Sequence, residues 1–328
     1  MDGWVRWDAG WYYDIAERGY TNVPRNEQGQ RDTAFFPLYP LLVRTMKAIV
    51  RDTFLAGLVV SNAGFLVALT LLFRLVSNHY NAEVARRSII LLSVYPFSFY
   101  FSAMYSESLF LLAVVCAFYF GERQQWSWAA LGAAAAGATR VVGAVTVVGL
   151  IVLYLEQIGF DWRKVRSDIL WIPLGLLGLG TYMAFLAIRF GDPLQFVKSQ
   201  YVPGWAAGVG IESALATVRA SLAPQSIAAG HYPAMNLIHL SIFLFALLLS
   251  VLAWRQPRRA YAVWAILTIL ASFSLWRSMG RFAAVVFPLF IVASLMLDQD
   301  RWYQIVVYVS TLMLALFTVM YAHFYWVS

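Results

Sequence analysis

The sequence predicts an all-α membrane protein, a polytopic helical bundle of about ten spans with interfacial helices beside it. Three observations predict this class. Hydrophobic residues fill 61% of the 328 positions and charged residues only 12%, where a soluble domain carries about 25% charged and about 45–50% apolar residues. Mean hydropathy is +0.66, and from Phe54 onward apolar stretches alternate with short polar breaks. That much apolar surface exceeds what one soluble core can bury, so lipid has to cover it. The 13 Trp and 18 Tyr suit a protein with many rings at the bilayer interfaces.

Residues 1–53 begin polar and aromatic, then run through Ala34-Phe-Phe-Pro-Leu-Tyr-Pro-Leu-Leu42 to Arg44, Lys47 and Arg51. The apolar part, Phe35 to Val43, is far short of the ~20 residues a crossing needs. With two prolines and flanking cations it predicts a helix lying on the membrane, paired with a first helix near 9–20. The apolar spans follow at 54–73, 89–105, 107–121, 127–138, 142–155, 169–188, 235–254, 261–275, 282–297 and 303–323. Residues 189–234, with Gly, Pro, Trp and His, predict an extramembrane loop. One domain covers 1–328: an interfacial segment over 1–53, then the bundle over 54–328. The single Cys116 excludes a disulfide framework and is read as a buried small hydrophobe.

If the breaks alternate sides, eleven cations fall together: Arg74, Arg86, Arg87, Arg123, Arg163, Lys164, Arg166, Arg255, Arg258, Arg259 and Arg301. Six fall on the other side: Arg140, Arg189, Lys198, Arg219, Arg277 and Arg281. The positive-inside rule makes the first set cytoplasmic, although seven further cations in residues 1–53 count against it. The net charge of +7 has the same source, and no basic run with interleaved aromatics points to nucleic acid. The N-terminal segment then starts on the non-cytoplasmic face without a signal peptide. A preceding transmembrane helix is expected to be missing from this chain.

Four motifs place ionisable groups at that non-cytoplasmic level. They are Arg6-Trp7-Asp8 with Trp11-Tyr12-Tyr13, Tyr105-Ser106-Glu107, Ala138-Thr139-Arg140, and Ser278-Met-Gly-Arg281. Charges at membrane spans are costly and usually face a cavity, a partner or a site. Each has a plainer alternative. Asp8 can cap the helix that begins near Ala9. Glu107 can pair structurally with Arg140. Arg140 and Arg281 can snorkel to headgroups, and Arg277 competes with Arg281. Trp7, Tyr12 and Tyr105 are candidates for substrate contact, or belong to the interface belt. His231 and His239 read as loop and span-end residues, and four His without ligand spacing make no metal case. Any cofactor stays open, a divalent metal included. Asp14 and Glu17 fall about 240° and about 180° round a helix from Asp8, so they do not share its face.

A polyprenyl-phosphate sugar donor presents an anionic phosphate at the membrane surface with a glycosyl carbon beside it. Transfer to a hydroxyl needs a carboxylate for the acceptor proton and cations to hold the departing phosphate. Asp8 as base, with Arg140, Arg281 and Arg6 as phosphate ligands, meets both needs. Glu107 is the alternative carboxylate. The apolar spans supply a groove for the prenyl tail.

At these residues the sequence resembles the PIG-V family of GPI mannosyltransferases, specifically its bacterial relatives. The resemblance rests on Arg6-Trp7-Asp8 through Ile15-Ala-Glu-Arg-Gly19-Tyr20, Ala34-Phe-Phe-Pro-Leu-Tyr-Pro40, Ser102-Ala-Met-Tyr-Ser-Glu107-Ser-Leu-Phe110, Ala138-Thr-Arg140 with Gly143, and Arg281-Phe282 through Pro288. It implies a GT-C type membrane glycosyltransferase, inverting mannosyl transfer from polyprenyl-phosphate mannose, and a catalytic Asp in the first non-cytoplasmic loop, at Asp8. The family has a transmembrane helix before the Trp-Asp motif, and this chain has none. The expected partners are the lipid-linked donor, a lipid or glycan acceptor and membrane lipids. The expected location is multi-pass, in the plasma membrane if the source is bacterial. A transporter or flippase would more often carry repeats and mid-membrane charges. A non-catalytic binder of lipid-linked glycans is the closer rival.

Overall fold

The computed structural model describes residues 6–202, 223–228, 231–273, 278–325 and 327, with isolated positions at 212, 215–216 and 219–220. Every regular element among the described residues is helical. Two short helices come first, α1 (Ala9–Arg18) and α2 (Leu38–Val50), of 10 and 13 residues, too short to cross a bilayer. Pro37 and Pro40 sit at the start of α2, where a missing N–H costs nothing because those groups have no helical partner. Arg44 of α2 donates to the Ala16 carbonyl at 2.7 Å, closing the C-terminal end of α1 and tying the pair together.

The bundle follows as α3 (Thr53–His79), α4 (Ala82–Val94), α5 (Glu107–Glu122), α6 (Trp126–Thr139), α7 (Val145–Gln157), α8 (Leu177–Phe190), α9 (His231–Leu252), α10 (Arg259–Ser272), α11 (Met279–Ala284), α12 (Phe287–Met296) and α13 (Asp300–Ala322). Asp52 and Asn81 cap α3 and α4 by accepting the Leu55 and Val84 amides at 2.6 and 2.8 Å. Among the described residues, four stretches are long and apolar enough to cross a membrane unaided: Thr53–His79, Ser167–Phe190, Met235–Arg255 and Asp300–Ala322. The chain is an integral membrane helical bundle, as its composition predicted.

The structure corrects several boundaries. The expected span 89–105 is not one helix. α4 ends at Val94, before Tyr95-Pro96, because a residue preceding proline is driven out of the helical region. Residues 95–106 instead form turns and a 3₁₀ segment, Ser98–Phe101. The span 282–297 is likewise broken between α11 and α12, just before Pro288. The loop 189–234 lies partly outside the described residues; within it are two helical turns, Gln195–Gln200 and Pro224–Ala228. His239 is not a span-end residue. It is buried inside α9.

Helix α5 organises the charge. At its C-terminal end Glu122 gathers His79 at 3.1 Å, Arg258 at 3.0 Å and the Tyr261 hydroxyl at 2.9 Å. Glu156 caps α10 there by accepting the Arg259 amide at 2.7 Å. At its N-terminal end, 15 positions earlier along the same helix, stands Glu107.

Candidate active site

Four charged side chains from four separate segments meet at the N-terminal end of α5. Asp8, just ahead of α1, accepts from Arg281 of α11 at 2.5 Å. Glu107 Oε1 faces the Arg281 Nε at 3.2 Å, an ion contact without hydrogen-bond alignment, and also accepts from Arg140 Nη2. The chain of contacts therefore runs Asp8, Arg281, Glu107, Arg140. Two carboxylates balance two guanidiniums, as burial requires of charges removed from water.

The plainer alternatives are settled by these contacts. Asp8 precedes α1 but makes no side-chain capping bond; its carboxylate is turned to Arg281. Arg140 and Arg281 do not snorkel, because their heads lie inward with side chains 13% and 11% exposed. Glu107 does pair with Arg140, and with Arg281 as well. Arg277 lies outside the described residues. Asp14 and Glu17 are turned elsewhere, to Arg25 at 2.7 Å and Lys47 at 2.6 Å.

Local structure aims each group. Trp7 has φ of +54°, a left-handed conformation uncommon for a residue with a side chain. The Tyr105 hydroxyl spans this turn: it donates to the Arg6 carbonyl at 2.9 Å and accepts the Asp8 amide at 3.2 Å. Tyr105 thus fixes the backbone on both sides of Trp7 and presents Asp8. Tyr12 bonds the Ser106 hydroxyl at 2.8 Å, and Ser106 accepts from Arg140 Nε at 3.3 Å. Burial raises the Tyr12 phenol above its ordinary pKa range, partly offset by Arg140, so it stays protonated. Arg6 engages the Ala322 carbonyl at the end of α13 at 3.3 Å and lies 3.6 Å over the Phe324 ring. Trp7 remains partly exposed, edge-on to Phe324. The turn after Arg140 demands glycine at 143, where a Cβ would come within 2.2 Å of the Ala136 carbonyl.

Sequence reasoning missed Ser106 and His239. Ser106 sat between two flagged residues and carried no signal of its own. His239 accepts the Gly280 amide at 3.2 Å, one residue from Arg281. A lone His near the start of an apolar span reads as a span-end residue, and no pattern distinguishes it.

Within the cluster, Glu107 Oε2 and Arg140 Nη1 are buried without a hydrogen-bond partner, an expensive state unless a further group meets them. An apolar groove of about 460 Å³ runs beside α6, lined by Leu38, Leu131, Ala134, Ala138, Trp171 and Thr181 among others. Of its lining residues on α6, Ala138 is the nearest in sequence to Arg140, two positions away. Among the described residues no set of three His, Cys, Asp or Glu side chains is grouped to hold a metal ion.

Residues 1–166, half of the chain, match the family described as Mannosyltransferase (PIG-V). The chain belongs to this family. The match takes in three of the four clustered groups, Asp8, Glu107 and Arg140, and Arg281 lies beyond it. The membership agrees with the motif resemblance found in the sequence. No match is found among curated protein sequences. Two crystal structures of ArnT from Cupriavidus metallidurans share the fold of this PIG-V family chain. One is in the apo state, at TM-score 0.57 and 16% identity. The other is bound to undecaprenyl phosphate, at TM-score 0.57 and 15% identity. Each comparison covers 91% of this chain and 55% of ArnT, so the chain spans little more than half the length of those proteins. The likeness shows a shared helical-bundle fold, in keeping with the membrane bundle that its motifs implied.

Proposed function

We propose that this chain is a membrane glycosyltransferase that moves a mannosyl residue from a polyprenyl-phosphate donor to a hydroxyl of a lipid or glycan acceptor. The carrying observation is the convergence of Asp8, Glu107, Arg140 and Arg281 from four distant segments. In this reading Arg140 and Arg281 hold the donor phosphate, and Glu107 holds the two arginines. The phosphate takes the place of Asp8 on Arg281, and the released carboxylate accepts the proton of the acceptor hydroxyl. The acceptor oxygen bonds to the glycosyl carbon as the carbon–phosphate-oxygen bond breaks, and the phosphate leaves with the electron pair. The groove beside α6 takes the prenyl tail. Tyr12 and Tyr105 support the site through Ser106 and the Trp7 turn, and the partly exposed Trp7 is the proposed sugar contact.

The arginine-rich loops at the far end of α5 support placing the site on the non-cytoplasmic face. The test is incubation of the purified chain with labelled polyprenyl-phosphate mannose and candidate acceptors. Labelled product that disappears with Asp8→Asn is expected. Retained donor binding with no transfer to any hydroxyl acceptor would instead favour a non-catalytic binder.

A further inference from the structure

We propose that His239 is a positioning residue that fixes Arg281 in the site, an inference that rests on the reading of Arg281 as a phosphate ligand. Arg281 is the third residue of α11, a helix of six residues. The first N–H groups of a helix have no partner within it, and Ser278, ahead of α11, makes no side-chain capping bond. The Gly280 amide instead donates to His239 Nδ1 at 3.2 Å, from α9, 41 positions away in sequence. A histidine on another helix thus does the capping, and what it caps is the residue next to Arg281.

Two more observations make this a seat rather than a passing contact. His239 is 1% exposed and its ring packs against Phe97 at 5.8 Å between centroids. A Cβ on Gly280 would meet the Phe97 ring at 2.4–2.6 Å, so the α11 backbone lies directly on that ring. Phe97 and His239 therefore fix the first turn of α11 in height and in rotation. Since Gly280 donates, Nδ1 must carry a lone pair, and the neutral imidazole holds its proton on Nε2.

The proposal separates variants that a general packing role would not. Asparagine can place its side-chain oxygen where Nδ1 stands, whereas glutamine places its amide near Nε2 and leucine offers no acceptor. With undecaprenyl phosphate as the probe, His239→Leu and His239→Gln are expected to weaken binding by about two- to tenfold, the worth of one hydrogen bond. His239→Asn is expected to stay within about twofold of the parent, and Arg281→Ala sets the reference loss. If Arg281→Ala weakens the lipid phosphate and His239→Gln binds as well as His239→Asn, the positioning role is wrong and the phosphate reading stands. If Arg281→Ala changes nothing, the phosphate reading falls. His239 is then judged without substrate, by ¹⁵N spectra of labelled histidine, with His239→Leu identifying its signals among the four His. An Nε2–H tautomer with a hydrogen-bonded Nδ1 is expected, and an Nδ1–H tautomer overturns the proposal in either case.

Discussion

Replacing Glu107 by Gln keeps the size of the side chain and removes the one charge that both Arg140 and Arg281 face. Glu107 is fully buried, and the Arg281 contact is 3.2 Å. At an effective dielectric of 20, one such pair is worth about 5 kcal/mol of gross attraction. Desolvation cancels much of that in the intact cluster. Removing Glu107 leaves two guanidiniums against Asp8 alone, one buried positive charge without its partner, which costs about 3–5 kcal/mol. For a chain this large the unfolding midpoint shifts by roughly 2 °C per kcal/mol, so a fall of roughly 6–10 °C is expected. The assay is thermal unfolding in detergent, alongside donor affinity and turnover. Both functional parameters should fall together, as for Arg140→Ala, because Glu107 acts by holding the arginines. A midpoint within about 1 °C of the parent would refute the buried-pair argument. Lost turnover with unchanged donor affinity would make Glu107 the base.

Asp8→Asn should lower turnover by about 10²–10⁴-fold, while donor affinity holds or rises, since Asp8 no longer competes with phosphate for Arg281; weaker donor binding in equilibrium titration would count against that exchange. Tyr105→Phe removes both hydrogen bonds across the Trp7 turn and should cost about 1–3 kcal/mol in denaturant unfolding, with turnover reduced because Asp8 is no longer held. Hydrogen bonds from Lys47 and then Thr53 hold the Glu17 carboxyl below its usual range. Because its pKa is lower folded than unfolded, Glu17 adds stability above the unfolded value of about 4.3, and that is lost as pH falls through the folded value. Glu17→Gln should therefore flatten the acid side of a stability-against-pH curve, and an unchanged slope below about pH 4 would show that this pair contributes nothing.

The cluster's members were legible because a charge stranded among apolar residues needs a reason. Asp8, Glu107, Arg140 and Arg281 each broke an otherwise apolar or aromatic stretch, and that cost is written in one dimension. Their pairing was not, since which carboxylate meets which guanidinium depends on where α1, α5, α6 and α11 are packed. The plainer reading of Glu107 paired it with Arg140 alone, yet it also faces Arg281. The break at Tyr95-Pro96 carried a local signal, the proline, that the apolar run outweighed. Tyr105 is a different case. Its ring was flagged as a substrate contact, but its hydroxyl joins Arg6 and Asp8 from 99 and 97 positions away, a relation that no spacing encodes.

Helix α5 carries ionised clusters at both ends and is 16 residues long. At 1.5 Å per residue that is about 24 Å, less than the roughly 30 Å of hydrocarbon in an ordinary bilayer. A short rod with charge at both tips cannot leave both in water unless the membrane is pinched around it. No residue of α5 is exposed, so protein rather than lipid surrounds it, and on the proposed function Glu107 and its arginines would sit several ångströms below the headgroups. On that proposal the donor phosphate would not have to rise out of its leaflet to meet Arg140 and Arg281. The acceptor bears the burden of approach. A hydroxyl already anchored in the lipid layer reaches that depth more readily than a freely diffusing sugar.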